Sequence, residues 1–291
     1  GTVDLAEDIF AVPVRADLLQ RMGFYPGPPM DHEVPGLEFA GRVVGVGGTV
    51  GRWSVGDEVM GIVGGGAYAE QLTVHEDQAM RVPAGMSLDV AGALPEVFVT
   101  AWDALVLQGG LGRGGTALVH AGASGVGTAA IQICRAVGAE VVVTASAAKC
   151  GACEAIGAVV AVDYASDDWV VAVAEHTGGR GVDVVLDVVG GDYLDRNVDA
   201  LAVGGTIVQV GGMGGGIATH TEIVDAAYQA FAEQIGPNLI YDDTRHNRIL
   251  AVHQPPGEIE TVSFASVTDL WQGGNGVCKD LFTGLFKFTA M

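Results

Sequence analysis

The sequence predicts an α/β chain, a doubly wound parallel sheet joined to a smaller β-rich domain, and three observations carry that expectation. Between residues 116 and 145 the order is apolar run, glycine turn, apolar-striped segment, apolar run, which is the pattern of two parallel strands bridged by a helix. The alternation continues to about residue 210, and strands alternating with helices in this way specify a parallel sheet covered on both faces. Before residue 95 the chain instead offers short β runs separated by glycines, the signature of a compact antiparallel domain.

Taken in order, residues 1–35 are poorly periodic apart from a short helical turn over 15–21, after which Pro26, Pro28 and Pro29 force an extended loop past Tyr25. Strands are predicted over 36–47, 55–64, 67–74 and 79–83. Ser87 is placed to cap a short helix, and a longer helix is predicted from Pro95 through Leu107, with Val97, Thr100, Ala101, Ala104 and Leu105 on one face. Then follow a strand over 116–120, a helix over 126–137 stopped by Gly138, and a strand over 139–145. Further helices are expected near 149–156, 167–176 and 193–202, with strands at 159–162, 182–188 and 206–210.

The turn between the first of these strands and its helix reads Gly122-Ala123-Ser124-Gly125-Val126-Gly127. Gly122 and Gly127 fill the first and third glycine places of the dinucleotide fingerprint, and Ser124 stands at the second. Such a turn offers backbone N–H groups at a helix N-terminus, where the helix dipole favours a pyrophosphate. No Gly-Lys-Ser/Thr follows and the G-x-S-x-G pattern is broken at Val126, so neither a P-loop nor a nucleophile elbow fits. On the motif alone, a glycine turn without ligand stays open.

Composition narrows the class. With 291 residues and 49% apolar content the chain can hold two domains with sizeable cores. No apolar run approaches the ~18–20 residues a membrane span needs, and the opening carries acids where a signal peptide would be basic, so a cytoplasmic protein is expected. The opening also reads as sequence already inside a domain, and a true N-terminus upstream is expected. A net charge of −21, from 35 acids against 14 bases, repels nucleic acid and acidic membranes. Cys150 and Cys153 form a C-x-x-C without a second pair, on an expected helix, and read as packing residues rather than a zinc or redox site. His120, just before the glycine turn, reads as a packed strand residue.

The phrases RADLLQRMGFYPGPP, PGLEFAGRVVGVG, GDEVMGIVGGGAYAEQ, LPEVFVTAWDAL, LVHAGASGVGTAAIQICRAVGA, VDVVLDVVGGDYLDRN and VGGMGGG, in this order, resemble the zinc-free quinone oxidoreductases of the medium-chain dehydrogenase/reductase superfamily, especially the p53-inducible group. The resemblance implies a GroES-like substrate domain, here partial, over 1–94, an NADP-binding Rossmann domain over 95–239, and a divergent segment over 240–291. It implies hydride transfer from NADPH to a quinone or related α,β-unsaturated carbonyl. In that likeness Tyr25 and Thr100 line the nicotinamide and substrate cleft. Ser124, Gly125 and Val126 hold the pyrophosphate, Tyr164 lies by the adenosine phosphate, and Val210, Gly211, Gly212 and Met213 lie near the carboxamide. Zinc-dependent relatives carry Gly-His-Glu where this chain has Gly36-Leu37-Glu38, which implies catalysis without metal. No Tyr-x-x-x-Lys pair supports a short-chain reductase instead.

Cofactor choice can be argued from residues. NAD-preferring units place Asp or Glu at the end of the second strand to bind the ribose 2'-hydroxyl, whereas this chain has Ser146 and Lys149 there, a hydroxyl and a cation suited to a 2'-phosphate. Three departures from the family favour a second reading, a catalytically impaired NADPH-binding member. Val14 replaces an asparagine that helps order the nicotinamide end, the entry strands are missing, and the basic stretch after VGGMGGG is absent. An RNA-binding role known in relatives is disfavoured by the charge. The absent stretch also carries the strand through which relatives pair edge to edge, so a homodimer is possible but weakened, with residues 284–289 a possible replacement strand.

Overall fold

The computed structural model describes residues 1–6, 9–24, 34–213 and 286–289. The chain forms two compact units that part between Val99 and Thr100, a few residues beyond the boundary expected at 94/95.

The first unit contains β1 (Thr2–Ala6), α1 (Arg15–Arg21), β2 (Glu38–Val46), β3 (Glu58–Ile62), β4 (Gln71–His75), β5 (Ala79–Arg81) and α2 (Leu88–Ala91). Its five strands lie in the order β4-β1-β2-β3-β5, antiparallel throughout. Strand β1 is a correction to the sequence reading, which left this stretch unassigned. Val3 and Leu5 face the core while Thr2 and Asp4 face solvent, the two-residue period of a half-buried strand, but five residues with an acid among them give that period little weight. Val3, Leu5, Phe39, Val43, Val59 and Val74 form one core behind the sheet. Ser87 takes the N-cap position of α2 as expected, but its side chain makes no cap hydrogen bond.

The second unit begins within α3 (Pro95–Trp102), which widens into a π-helical turn over Asp103–Gln108 where a plain helix was expected through Leu107. The amide of Gln108 donates to Asp103 Oδ2 at 2.6 Å, and a pair five residues apart meets across a π turn rather than an α turn. Most of the expected inner face holds all the same, with Thr100, Ala101, Ala104 and Leu105 buried and Val97 half-buried.

Next come β6 (Thr116–Val119), α4 (Gly125–Val137), β7 (Glu140–Ala145), α5 (Ala147–Ile156), β8 (Val160–Asp163), α6 (Trp169–Thr177), β9 (Val182–Asp187), α7 (Leu194–Ala200) and β10 (Leu201–Gln209). β11 (Phe286–Thr289) completes a sheet in the order β11-β10-β9-β6-β7-β8, parallel except for β11, which runs antiparallel along β10. This is the doubly wound sheet the alternation predicts. Helix α4 opens on the Ser124 hydroxyl, which accepts from Gly127 N at 3.0 Å, and stops at Gly138, whose φ of 79° is the left-handed cap that favours glycine. Strand β10 begins at Leu201, earlier than the expected 206, because Leu201 already pairs with Val182 and the register then shifts at Gly204 and Gly205, glycines that open a bulge. The described β11 matches the replacement strand expected near 284–289. Among the described residues no helix is long and apolar enough to cross a membrane.

Candidate functional site

In the second unit, β6, β7, β9 and β10 end on one edge of the sheet, and chain order reverses between β6 and β9. Ligands of open α/β sheets bind beyond the carboxyl ends of strands at such a switch point. Gly122 packs on β7 so closely that a Cβ there would come within 2.6 Å of Val143, and a Cβ on Gly127 would run into the backbone of Ala121 and Gly122. These are the first and third fingerprint glycines, one needed for the tight turn and one for helix–strand packing. Ser124, at the second place, spends its hydroxyl on the helix cap. The N–H groups of Gly125 and Val126 find no acceptor among the described residues, so the N-terminus of α4 keeps two donors for an anion.

Helix α5 begins beside it. Ser146 holds its N-cap position without a side-chain cap bond, and Lys149 in the first turn is exposed and pairs with no carboxylate among the described residues. β7 ends in Thr144 and Ala145, with no acid in the place that would contact a ribose 2'-hydroxyl. Tyr164 follows β8 and is 50% exposed. These hydrogen-bonding groups suit a nicotinamide dinucleotide.

Of the other expected residues, Thr100 is 3% exposed and its hydroxyl has no hydrogen-bond partner among the described residues. The segment from Val210 to Met213 is tied to the turn after β9: Val210 N donates to Asp187 O at 2.7 Å and Met213 N to Val188 O at 3.3 Å. Gly211 and Gly212 lie between them, with the Gly211 carbonyl accepting from Gln209 Nε2 at 3.3 Å. Tyr25 lies outside the described residues. Cys150 and Cys153 are set on α5 with thiols held above their ordinary value, burial being the first cause, which suits packing rather than nucleophilic chemistry. Among the described residues no group of three or more His, Cys, Asp or Glu side chains is arranged to hold a metal ion.

Sequence reasoning read His120 as a packed residue, which its full burial bears out, but passed over two networks. One surrounds His120, which is fully buried between Thr144 and Asn197. The other lies in the first unit, where Asp17, Gln20 and Tyr68 hold the Gly36-Leu37-Glu38 turn. Asp17 Oδ1 accepts from Leu37 N at 3.0 Å, and its Oδ2 accepts from Val14 N and from the Tyr68 hydroxyl, both at 2.8 Å. Gln20 donates to Gly64 O and accepts from Gly36 N. Leu37 itself is buried core, and Val14, at the asparagine position of the family, keeps its backbone fixed by Asp17. Both acids sat inside the quoted phrases RADLLQR and GLEFAG, but a lone Asp or Glu in a core-like run carries no spacing signal.

Glu38 is 1% exposed, with Oε2 accepting from Glu96 N at 2.9 Å and Oε1 without a partner among the described residues. Burial above all, then the nearby charges of Glu96 and Asp17, pushes its pKa up from 4.5 to about 7, and burial and Asp17 push Glu96 equally to about 7. A folded carboxyl that keeps its proton to higher pH than the unfolded one stabilises the fold at low pH, and that contribution is lost as pH rises from 4.5 to about 7. Chemical denaturation of the wild type across that window is therefore expected to show stability falling with pH. Glu38→Gln should flatten the fall by up to about 1.4 kcal/mol per pH unit, the share of one proton, and an unchanged slope would refute the assignment.

Comparison with known proteins agrees with this geometry. Residues 11–84 match the family model of the alcohol dehydrogenase GroES-like domain, and residues 125–234 match that of the zinc-binding dehydrogenases. A phenolphthiocerol synthesis polyketide synthase type I of Mycobacterium bovis is 40% identical over 202 residues, 67% of this chain and 9% of that protein, so the chain spans a small part of such relatives. The CurK enoyl reductase superposes with a TM-score of 0.69 at 29% identity, covering 77% of this chain and 69% of that one. The Escherichia coli quinone oxidoreductase complexed with NADPH gives 0.67 at 30% identity, covering 75% of this chain and 67% of that one. With both domain models matched in order and about three quarters of the chain superposing on such structures at this identity, the chain belongs to the medium-chain dehydrogenase/reductase superfamily, a family of oxidoreductases that work with nicotinamide cofactors.

Proposed function

We propose that the chain is an NADPH-dependent reductase that delivers hydride to a quinone or related α,β-unsaturated carbonyl without the help of a metal. The observation that carries this reading is the start of α5, where the uncapped Ser146 hydroxyl and the unpaired Lys149 stand at the end of a strand that has no acid. A 2'-phosphate dianion suits that pair of donors, whereas a ribose 2'-hydroxyl would find no carboxylate. Gly125 and Val126 offer backbone donors to the pyrophosphate, and Ser124 keeps the helix terminus in shape for it. Tyr164 would cover the adenosine phosphate, and Val210, Gly211, Gly212 and Met213 would line the nicotinamide end, where the orphan Thr100 hydroxyl can bond the carboxamide or the reacting oxygen. NADPH supplies the hydride; the chain's own share is to orient and to exclude water, which supplies most of the rate in such reactions. Tyr25 belongs to the same proposal by family likeness. The enoyl reductase and polyketide synthase relatives favour an enoyl thioester as the α,β-unsaturated substrate, and the quinone oxidoreductase relative favours a quinone.

Calorimetric titration with both nucleotides, followed by NADPH oxidation with an ortho-quinone and an enoyl thioester, tests the reading. NADPH is expected to bind more tightly than NADH, and Lys149→Ala to lose most of that preference, about tenfold for a lost charge-assisted contact of ~1.4 kcal/mol. Equal or tighter binding of NADH would refute the cofactor. Elemental analysis of the active protein should find no stoichiometric zinc. NADPH binding without turnover of either substrate would favour the impaired member over the reductase.

A further inference from the structure

His120 stands at the end of β6 and none of its atoms reaches solvent. Its Nδ1 lies 3.0 Å from Thr144 Oγ1 at the end of β7, and its Nε2 lies 2.6 Å from Asn197 Oδ1 on α7. The direction of each bond follows from the far end of the chain of contacts. Asp187, at the end of β9, can only accept: its Oδ1 takes the N–H groups of Val189 and Gly190, at 2.7 and 2.9 Å, and its Oδ2 takes Asn197 Nδ2 at 3.0 Å. Asn197 therefore turns its carbonyl oxygen toward His120, and His120 Nε2 must be the donor. Nδ1 is left as the acceptor of the Thr144 hydroxyl hydrogen, and Thr144 Oγ1 in turn accepts from Ala121 N at 3.4 Å. Burial holds the imidazole below its ordinary pKa, against the pull of Asp187, so the ring is neutral. Tyr193 and Trp169 stand edge-on to it, with ring centroids 4.8 and 5.4 Å away, and fix its plane.

The two ends of this relay are the turns around the sheet's switch point. Ala121 opens the glycine turn in the left-handed region, at φ 53°, a strained place for a residue with a side chain. Val189 and Gly190 form the turn after β9, and the same Asp187 and Val188 carry the segment from Val210 to Met213 through their carbonyls. We propose that His120 is a positioning residue for the dinucleotide. Locked between Thr144 and Asn197 with its proton on Nε2, it welds the glycine turn to the turn after β9, so that the pyrophosphate and nicotinamide ends of the site share one fixed geometry. This rests on the reading of the chain as a nicotinamide-nucleotide enzyme.

Two measurements test it. Nitrogen NMR of histidine-labelled protein, with His120 assigned by its loss in His120→Gln, should show a bare Nδ1 and a protonated Nε2 at neutral pH; the opposite tautomer or a charged ring overturns the proposal. The dissociation constant for NADPH should rise about tenfold in Thr144→Val and in Asn197→Leu, and the double variant should lose no more than either alone, because both cut one relay. A purely structural histidine would lower the unfolding temperature and leave nucleotide affinity of the folded variants unchanged, or give additive losses, and either result overturns the proposal. Should Asn197→Leu not fold, Thr144→Val, which keeps side-chain shape, decides on its own: an unchanged dissociation constant sinks the idea. If the wild type binds neither NADPH nor NADH, the nucleotide reading itself has failed, whereas normal wild-type binding with unaltered variants removes only the role of His120.

Discussion

Gly127→Ala should cost the chain more than tenfold in nucleotide affinity and about 1–3 kcal/mol of stability, the range for forcing atoms into a packed site. The added methyl would meet the carbonyl of Ala121 and come within 2.6 Å of the Gly122 backbone, and backbone cannot rotate aside as a side chain would. The N-terminus of α4 must then back away from the turn, taking the free N–H groups of Gly125 and Val126 off their target. Ser124→Gly is the informative contrast. It gives up the cap to Gly127 N, a loss of a few tenths of a kcal/mol when glycine replaces serine, and it restores the fingerprint glycine, so affinity should hold or improve. Titration and urea denaturation of both variants check the pair; equal losses would show that the turn does not position the nucleotide.

Trp169→Ala is expected to destabilise the second unit by about 3–5 kcal/mol, the usual cost of emptying a buried aromatic site. Trp169 is 1% exposed and belongs to the core formed with Leu118, Val142, Val162 and Val185. Its ring also stacks on Tyr193 at 4.5 Å, stands edge-on to His120, and lies under the Arg196 guanidinium, 3.2 Å from the ring centroid. Arg196 in turn bonds Asp168, the N-cap of α6, at 2.8 Å. Trp169→Phe should recover most of the loss, since it keeps a flat ring under the guanidinium and removes an indole N–H that has no partner among the described residues. Denaturant midpoints of the wild type and both variants measure this; a loss under 1 kcal/mol in Trp169→Ala would mean the site collapses far more readily than its packing implies.

What the sequence made legible follows from how local each signal is. The glycine turn, the stripe of α4 and the alternation of strands and helices rest on neighbours a few residues apart, and they stand where expected. Strand β1 was missed because five residues give too little periodicity, and the π turn because its cause is a single Asp103–Gln108 bond that no apolar pattern announces. The site divides the same way. The glycine turn at Ser124, Gly125 and Val126 and the helix start at Ser146 and Lys149 were legible as local structure. His120, Asn197 and Asp187 were not, since His120 and Asn197 are 77 positions apart and meet only when α7 folds back over the sheet. Asp17 and Glu38 look like incidental polar residues until burial leaves one fully bonded and the other holding a proton.

Strand β11 occupies the border of the sheet next to β10, in register from Thr206↔Thr289 to Gln209↔Phe286. A border strand left bare recruits whatever β segment reaches it first. Here the occupant is tethered to the border it covers, and a tethered segment acts at an effective concentration that a separate molecule reaches only when abundant. A second copy seeking β10 would therefore have to displace an internal rival, and only abundant protein would favour the exchange.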